Sequence, residues 1–191
     1  VQLAAPAELG SNLTDGSLNF DITFGYEGAY AAATHGLEPA TVQPDNVADD
    51  PANDINAALG SCDFDAGFPF PCTGITWHVV SVPAGTALTR IALFDEYTDG
   101  EDDLDLYVWD SVHGWQTDGP DTNYSLFDWS VSATPGGSLS LDDAPVAATP
   151  GSTESVTVSW AGLDGGVKYL GAVSHSDGGL IGLTVINVQT D

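Results

Sequence analysis

A chain of 191 residues is long enough for one sandwich-type domain, or for a medium and a small one, and 42% hydrophobic residues supply a real core. Against 28 Asp and Glu stand only Arg90 and Lys168, a formal net charge of -26. That balance excludes a nucleic-acid surface, which needs clustered Lys and Arg, and it disfavours an anionic membrane. No apolar run approaches the roughly 18 residues that a membrane-spanning helix requires.

In chain order, "VQLAAPAELGSNLTDG" reads as a free N-terminal segment. "SLNFDITFGYEGAYAA" follows, where Phe20, Ile22 and Phe24 alternate with Asp21, Thr23 and Gly25, the period of a half-buried strand. The one helix is expected in "DDPANDINAAL", with Asp50 as cap, Pro51 at the first helical position and Gly60 at the end. In "SCDFDAGFPFPCTG", Cys62 and Cys72 enclose a short loop rich in Pro, Gly and Phe. A disulfide-closed loop fits that spacing best, with two free thiols as the alternative; the further His and Cys of a zinc site are missing.

Strands are next expected at "GITWHVVSV", with Ile75, Trp77 and Val79 on one face, then at "TRIALFD", "LDLYVWD" and "NYSLFDWSVSA". Residues 132 to 154, "SATPGGSLSLDDAPVAATPGSTE", are Pro-, Gly- and Ser-rich and read as a linker or loose edge segment. "STESVTVSWAGL", "VKYLGAVSHSD" and "LIGLTVINVQT" supply three further strands. The expected organisation is all-β: an antiparallel, jelly-roll-like sandwich over residues 1–133, with a small immunoglobulin- or fibronectin-III-like β unit over 134–191 packed on it.

Acid concentrates in "FDEYTDGEDDLDLYVWD", which carries Asp95, Glu96, Asp99, Glu101, Asp102, Asp103, Asp105 and Asp110 around a Gly turn. Like charges this close are costly unless a cation or free solvation relieves them. Calcium takes six to eight hard oxygen ligands in flexible geometry and suits the need. On the expected strand "DLDLYVW", Leu104, Leu106 and Val108 share one face, and Asp103, Asp105, Tyr107 and Trp109 the other. A second cluster, "PDNVADDPANDIN", adds Asp49, Asp50 and Asp54 as further candidate ligands. The spacing is not that of an EF-hand, because Tyr97 and Leu106 fall where that loop needs oxygens. Two solvated acidic loops remain the alternative.

His35, His78, His113 and His175 accompany neither a "GxSxG" elbow nor "HExxH". The reading is therefore a non-catalytic chain. Tyr107, Trp109 and Trp115, with Tyr124, Phe68 and Phe70, are the candidates for a binding surface toward a protein or polysaccharide.

The pieces "FGYEGAYAAATHGLEPA", "DDPANDINAALG", "ITWHVVSVPAGT", "LFDEYTDGEDDLDLYVWD", "VHGWQTDGPDTNYSLFDWSV" and "VKYLGAVSHSDGGLIG" run in an order that resembles the C-terminal, non-catalytic region of secreted bacterial subtilisin-like serine peptidases, related to the pre-peptidase C-terminal domain. The resemblance implies a secreted β-sandwich that aids stability, secretion or attachment, often with bound calcium, and makes Asp103 and Asp105 the leading ligands. No "GTSMA"-like serine motif is present, so no proteolysis carries over. "DLYVWDSVHGW" joins two pieces that the family separates by a longer insertion. A sandwich short of strands invites completion by a neighbour's strand, so an extracellular filament or surface-layer subunit, with copies of itself as partner, is the second expectation. Val1 and the lack of methionine suit a processed chain or a piece of a larger one.

Overall fold

The computed structural model describes residues 2–48, 54–98, 104, 106–108 and 122–191, with Asp95 and 122–124 described by backbone alone. The described strands are β1 (Leu3–Ala4), β2 (Glu8–Ser11), β3 (Gly16–Phe24), β4 (Gly28–Ala29), β5 (Ala31–Pro39), β6 (Thr41–Val47), β7 (Thr86–Ala92), β8 (Thr122–Ser132), β9 (Ser140–Asp143), β10 (Ala147–Ala148), β11 (Thr153–Trp160), β12 (Lys168–Ser176) and β13 (Leu180–Gln189). One short helix, α1 (Ile55–Gly60), lies among them. The all-β, sandwich-like class holds.

The chain divides into two compact units: residues 1–40, 82–90 and 129–191, and residues 41–81 and 91–128. This is not the expected division at 133/134. The strands of the last sixty residues do not form a unit of their own, because β11 pairs with β3 and β12 with β5. N- and C-terminal strands are thus interleaved, and neither set can bury its apolar face without the other.

The larger unit contains two four-stranded sheets, in the orders β1-β3-β11-β9 and β2-β13-β12-β5. Alternation decides which side chains meet between them: Phe20, Ile22 and Phe24 of β3 and Val156, Val158 and Trp160 of β11 are buried, as are Tyr169 and Val173 of β12 and Ile186 and Val188 of β13. Burying each such side chain contributes about 1.5–3 kcal/mol relative to exposure. The stretch 132–154 is not a linker. Leu139 and Ala148 belong to the buried core, and β9 is the edge strand beside β11. Its exposed Asp142 and Asp143 suit an edge that must not recruit further strands.

The N-terminal segment is likewise not free. Leu3 lies opposite Phe24 in one sheet, while Glu8 to Ser11 run parallel to Val185–Val188 in the other. Arg90 grips Glu8 through both terminal nitrogens, at 2.8 and 2.6 Å, and Asn187 donates to the same carboxylate at 3.2 Å. The expected donor strand is therefore occupied within its own chain.

At one crossing the backbone admits no side chain. Gly36, at φ +83°, lies against Gly137 and Gly171; a Cβ on Gly171 would stand 2.7 Å from the His35 carbonyl, and one on Gly137 would run into the Gly36 carbonyl. This is where β5 and β12 shift register, between Leu170 and Ala172.

In the smaller unit, β6 pairs antiparallel with the first part of β8, from Thr41 opposite Asp128 to Val47 opposite Thr122. Pro44 sits on β6, which is an edge strand and tolerates its missing donor. Val47 and Leu126 are the buried centre, joined by Val80, Ile91, Leu93 and Leu104. Helix α1 is capped by Asp54, whose Oδ1 accepts from Asn56 N at 2.8 Å. The cap is thus Asp54 rather than Asp50, and Ser61 follows Gly60 as C-cap.

Residues 74–82 form no strand. Their side chains hold them instead: Thr76 Oγ1 donates to Asn46 O at 2.7 Å, and Val80 packs on the Val47–Leu126 centre. Residues 104 and 106–108 are not in a strand either. Leu104 meets the core, but Leu106 and Val108 are 38% and 56% exposed and Tyr107 is half-buried. The expected two-faced alternation is not adopted there.

Candidate functional site

Two places in the smaller unit collect chemistry. The first is the start of the acidic segment. Phe94 and Tyr97 each stand edge-on to Phe127 of β8, with ring centroids at 5.2 and 4.9 Å. Tyr97 N donates to Phe94 O at 2.9 Å, closing the one-turn 3-10 helix Asp95–Tyr97. Leu104 then packs on the Val47–Leu126 centre. Only residues 98–103 separate these two anchors, and Asp99, Glu101, Asp102 and Asp103 are among them.

Asp49, Asp50, Asp99, Glu101, Asp102, Asp103, Asp105, Trp109 and Trp115 lie outside the described residues, as does His113. Asp95 is described in its backbone alone. Asp54 spends a carboxylate oxygen on the helix cap, and Tyr107 is half-buried. Among the described residues, no group of three or more His, Cys, Asp or Glu is arranged to hold a metal ion. A carboxylate-only donor set matches calcium in chemistry.

Behind β6 a polar row joins Asp128, Gln43 and His78. Gln43 Nε2 donates to the buried Asp128 at 3.0 Å, and Gln43 Oε1 lies 3.2 Å from His78 Nδ1. His78 Nε2 is 4.0 Å from Asp45. Burial holds the His78 imidazole below its usual range, while Asp45 and Asp128 pull the other way. The row fixes the extended segment 74–82 against β6.

The second place is the loop that follows α1. Cys62 and Cys72 are bonded, and Asp63 N donates to Pro71 O at 3.0 Å across the loop's base. Phe70 stands edge-to-face with Phe64 (5.0 Å), Phe68 (5.5 Å) and Trp77 (5.6 Å). Trp77 Nε1 points at Cys72 Sγ at 3.3 Å. Phe64 and Phe68 are 52% and 53% exposed. Phe68 and Phe70 were expected as surface aromatics. Phe64 and Trp77 were not, and the Phe-x-x-x-Phe-x-Phe spacing inside the Cys62–Cys72 pair was the available signal.

In the larger unit a buried chain runs from Tyr30 through His175 and Thr184 to Pro6. Tyr30 OH lies 2.6 Å from His175 Nδ1, His175 Nε2 lies 3.0 Å from Thr184 Oγ1, and Thr184 Oγ1 donates to Pro6 O at 2.8 Å. A carbonyl only accepts, which sets the direction: Tyr30 donates to Nδ1, and Nε2–H donates to Thr184. Burial pushes His175 down to about 4 and raises Tyr30, so both stay neutral. The chain pins the link between β1 and β2 from inside; its role is structural. Lys168 is also buried, and its Nζ donates to Gln189 Oε1 at 3.0 Å.

No protein-family model, curated protein or solved structure gives a significant match to this chain. Among the described residues no helix is long and apolar enough to cross a membrane.

Proposed function

We propose that the chain is a secreted, non-catalytic β-sandwich that binds calcium through the acidic segment and serves as an accessory or attachment module, like the C-terminal region of subtilisin-like peptidases that its sequence resembles. The observation that carries this reading is the double anchorage of that segment. Tyr97 and Leu104, the described residues that flank Asp99, Glu101, Asp102 and Asp103 in sequence, both pack in the smaller unit. Four like charges so close in sequence are relieved most directly by a hard divalent cation. Asp99, Glu101, Asp102, Asp103 and Asp105 would supply the oxygens, with Asp95, Asp49 and Asp50 as further donors. Asp54 contributes least, because its carboxylate caps α1. The disulfide supports an oxidising, extracellular setting.

A filament subunit built by strand donation needs a free donor, and Leu3–Ala4 and Glu8–Ser11 are paired in their own sheets. Calorimetric titration of chelator-stripped protein tests the calcium reading. Uptake that D103N/D105N abolishes is the expected result, and absence of uptake overturns it.

A further inference from the structure

We propose that the disulfide-closed loop Cys62–Cys72 is a docking knob for an Arg- or Lys-bearing segment of a partner protein. The inference uses none of the acidic segment and is independent of the calcium reading. Its first support is shape. A loop with half-exposed Phe64 and Phe68 normally collapses to hide them, but here both rings are propped on Phe70, which stands on Trp77, which in turn is tied to the disulfide sulfur. The disulfide and the Asp63 N to Pro71 O bond close the base. The knob is thus ordered before it binds, which lowers the entropic cost of association.

The second support is charge, and it selects the occupant. Exposed Asp63 and Asp65 bracket Phe64, and the loop contains no cation. The chain's two cations are engaged elsewhere, Arg90 with Glu8 and buried Lys168 with Gln189. A polyanion is repelled by a surface of net charge -26, and so is a second copy of this chain. Ring faces beside carboxylates match a guanidinium or ammonium on an alkyl stem, which stacks on the ring and pairs with the acid.

The test measures binding of a fluorescent oligo-arginine peptide to the full chain. The F64A/F68A variant, which leaves the net charge unchanged, is expected to weaken binding roughly tenfold, and F64L/F68L, which keeps apolar bulk but removes the π faces, to weaken it similarly. D63N/D65N should cost more affinity than D142N/D143N, which removes equal charge from strand β9 of the other unit. Circular dichroism shows that each variant has kept its fold. Equal affinity for wild type and F64A/F68A would mean unspecific attraction to an acidic surface and overturn the proposal. So would Phe-dependent binding to a neutral insoluble glucan without Phe-dependent binding to the peptide.

Discussion

The Tyr30 hydroxyl lies 2.6 Å from Nδ1 of the fully buried His175, and this bond fixes the imidazole as its Nε2–H form. Protonating Nδ1 would leave two donors facing one another unless the tyrosine reverses its bond. Burial pushes His175 down to about 4 in the fold, against about 6.5 in the unfolded chain. Between these values the unfolded state binds more protons, so stability is complete above about 6.5 and falls as the pH drops toward 4. The size is about 3 kcal/mol. Chemical denaturation at a series of pH values should show this loss, and H175Q should flatten it. Y30F leaves a buried ring nitrogen without its donor and should cost about 1–3 kcal/mol at neutral pH.

The crossing of Gly36, Gly137 and Gly171 leaves no room for a methyl group. G171A and G137A should each destabilise by about 1–3 kcal/mol or more, since the atoms in the way are backbone. G179A, at a position with open space around it, should melt within a degree or two of wild type. Thermal melts of the three variants check the contrast.

Much of the larger unit was legible in the sequence. Strict alternation at Phe20, Ile22 and Phe24 and again at Val156, Val158 and Trp160 marks strands because both runs face one shared core. The same count places His175 two residues beyond Val173 on the inward face of β12, so its burial was readable. The domain boundary was not. A Pro-, Gly- and Ser-rich stretch resembles a linker, but Leu139 and Ala148 within it are core residues, and strand pairing between distant segments leaves no local mark. Residues 74–82 show the converse failure. There Thr76, His78 and Val80 are held on one side and Trp77 on the other, while Val79 of the expected apolar face is exposed; a period of two cannot tell a docked extended segment from a paired strand. Among the described residues, Asp54 is the one candidate ligand with a described side chain, and it is a helix cap.

Arg90 holds β2 in place through Glu8, and this pair depresses the Glu8 carboxyl below its usual range by direct hydrogen bonding and by charge. Both partners are partly exposed, which limits the contribution to about 1 kcal/mol or less. R90M should lower the melting temperature by a few degrees at most. Its effect should fade in high salt, and amide exchange should rise first in residues 8–11.

Reducing the Cys62–Cys72 bond should act locally. The loop it closes is short, so the chain-entropy contribution is about 2–3 kcal/mol, and the cluster of Phe64, Phe68, Phe70 and Trp77 loses its tether. Near-ultraviolet dichroism and tryptophan fluorescence should change on adding reductant, while the far-ultraviolet β signal persists.

The calcium claim is tested most directly by the melting temperature of the chain in calcium and in chelator at the same ionic strength. An ion bound to the native state alone, at about a hundredfold excess over its dissociation constant, stabilises by about 2.7 kcal/mol, a rise of roughly 5–10 °C for a chain of this size. The account predicts that rise, and predicts its loss in D103N/D105N. Superimposable melts in calcium and chelator would contradict it and leave the acidic segment as a solvated surface.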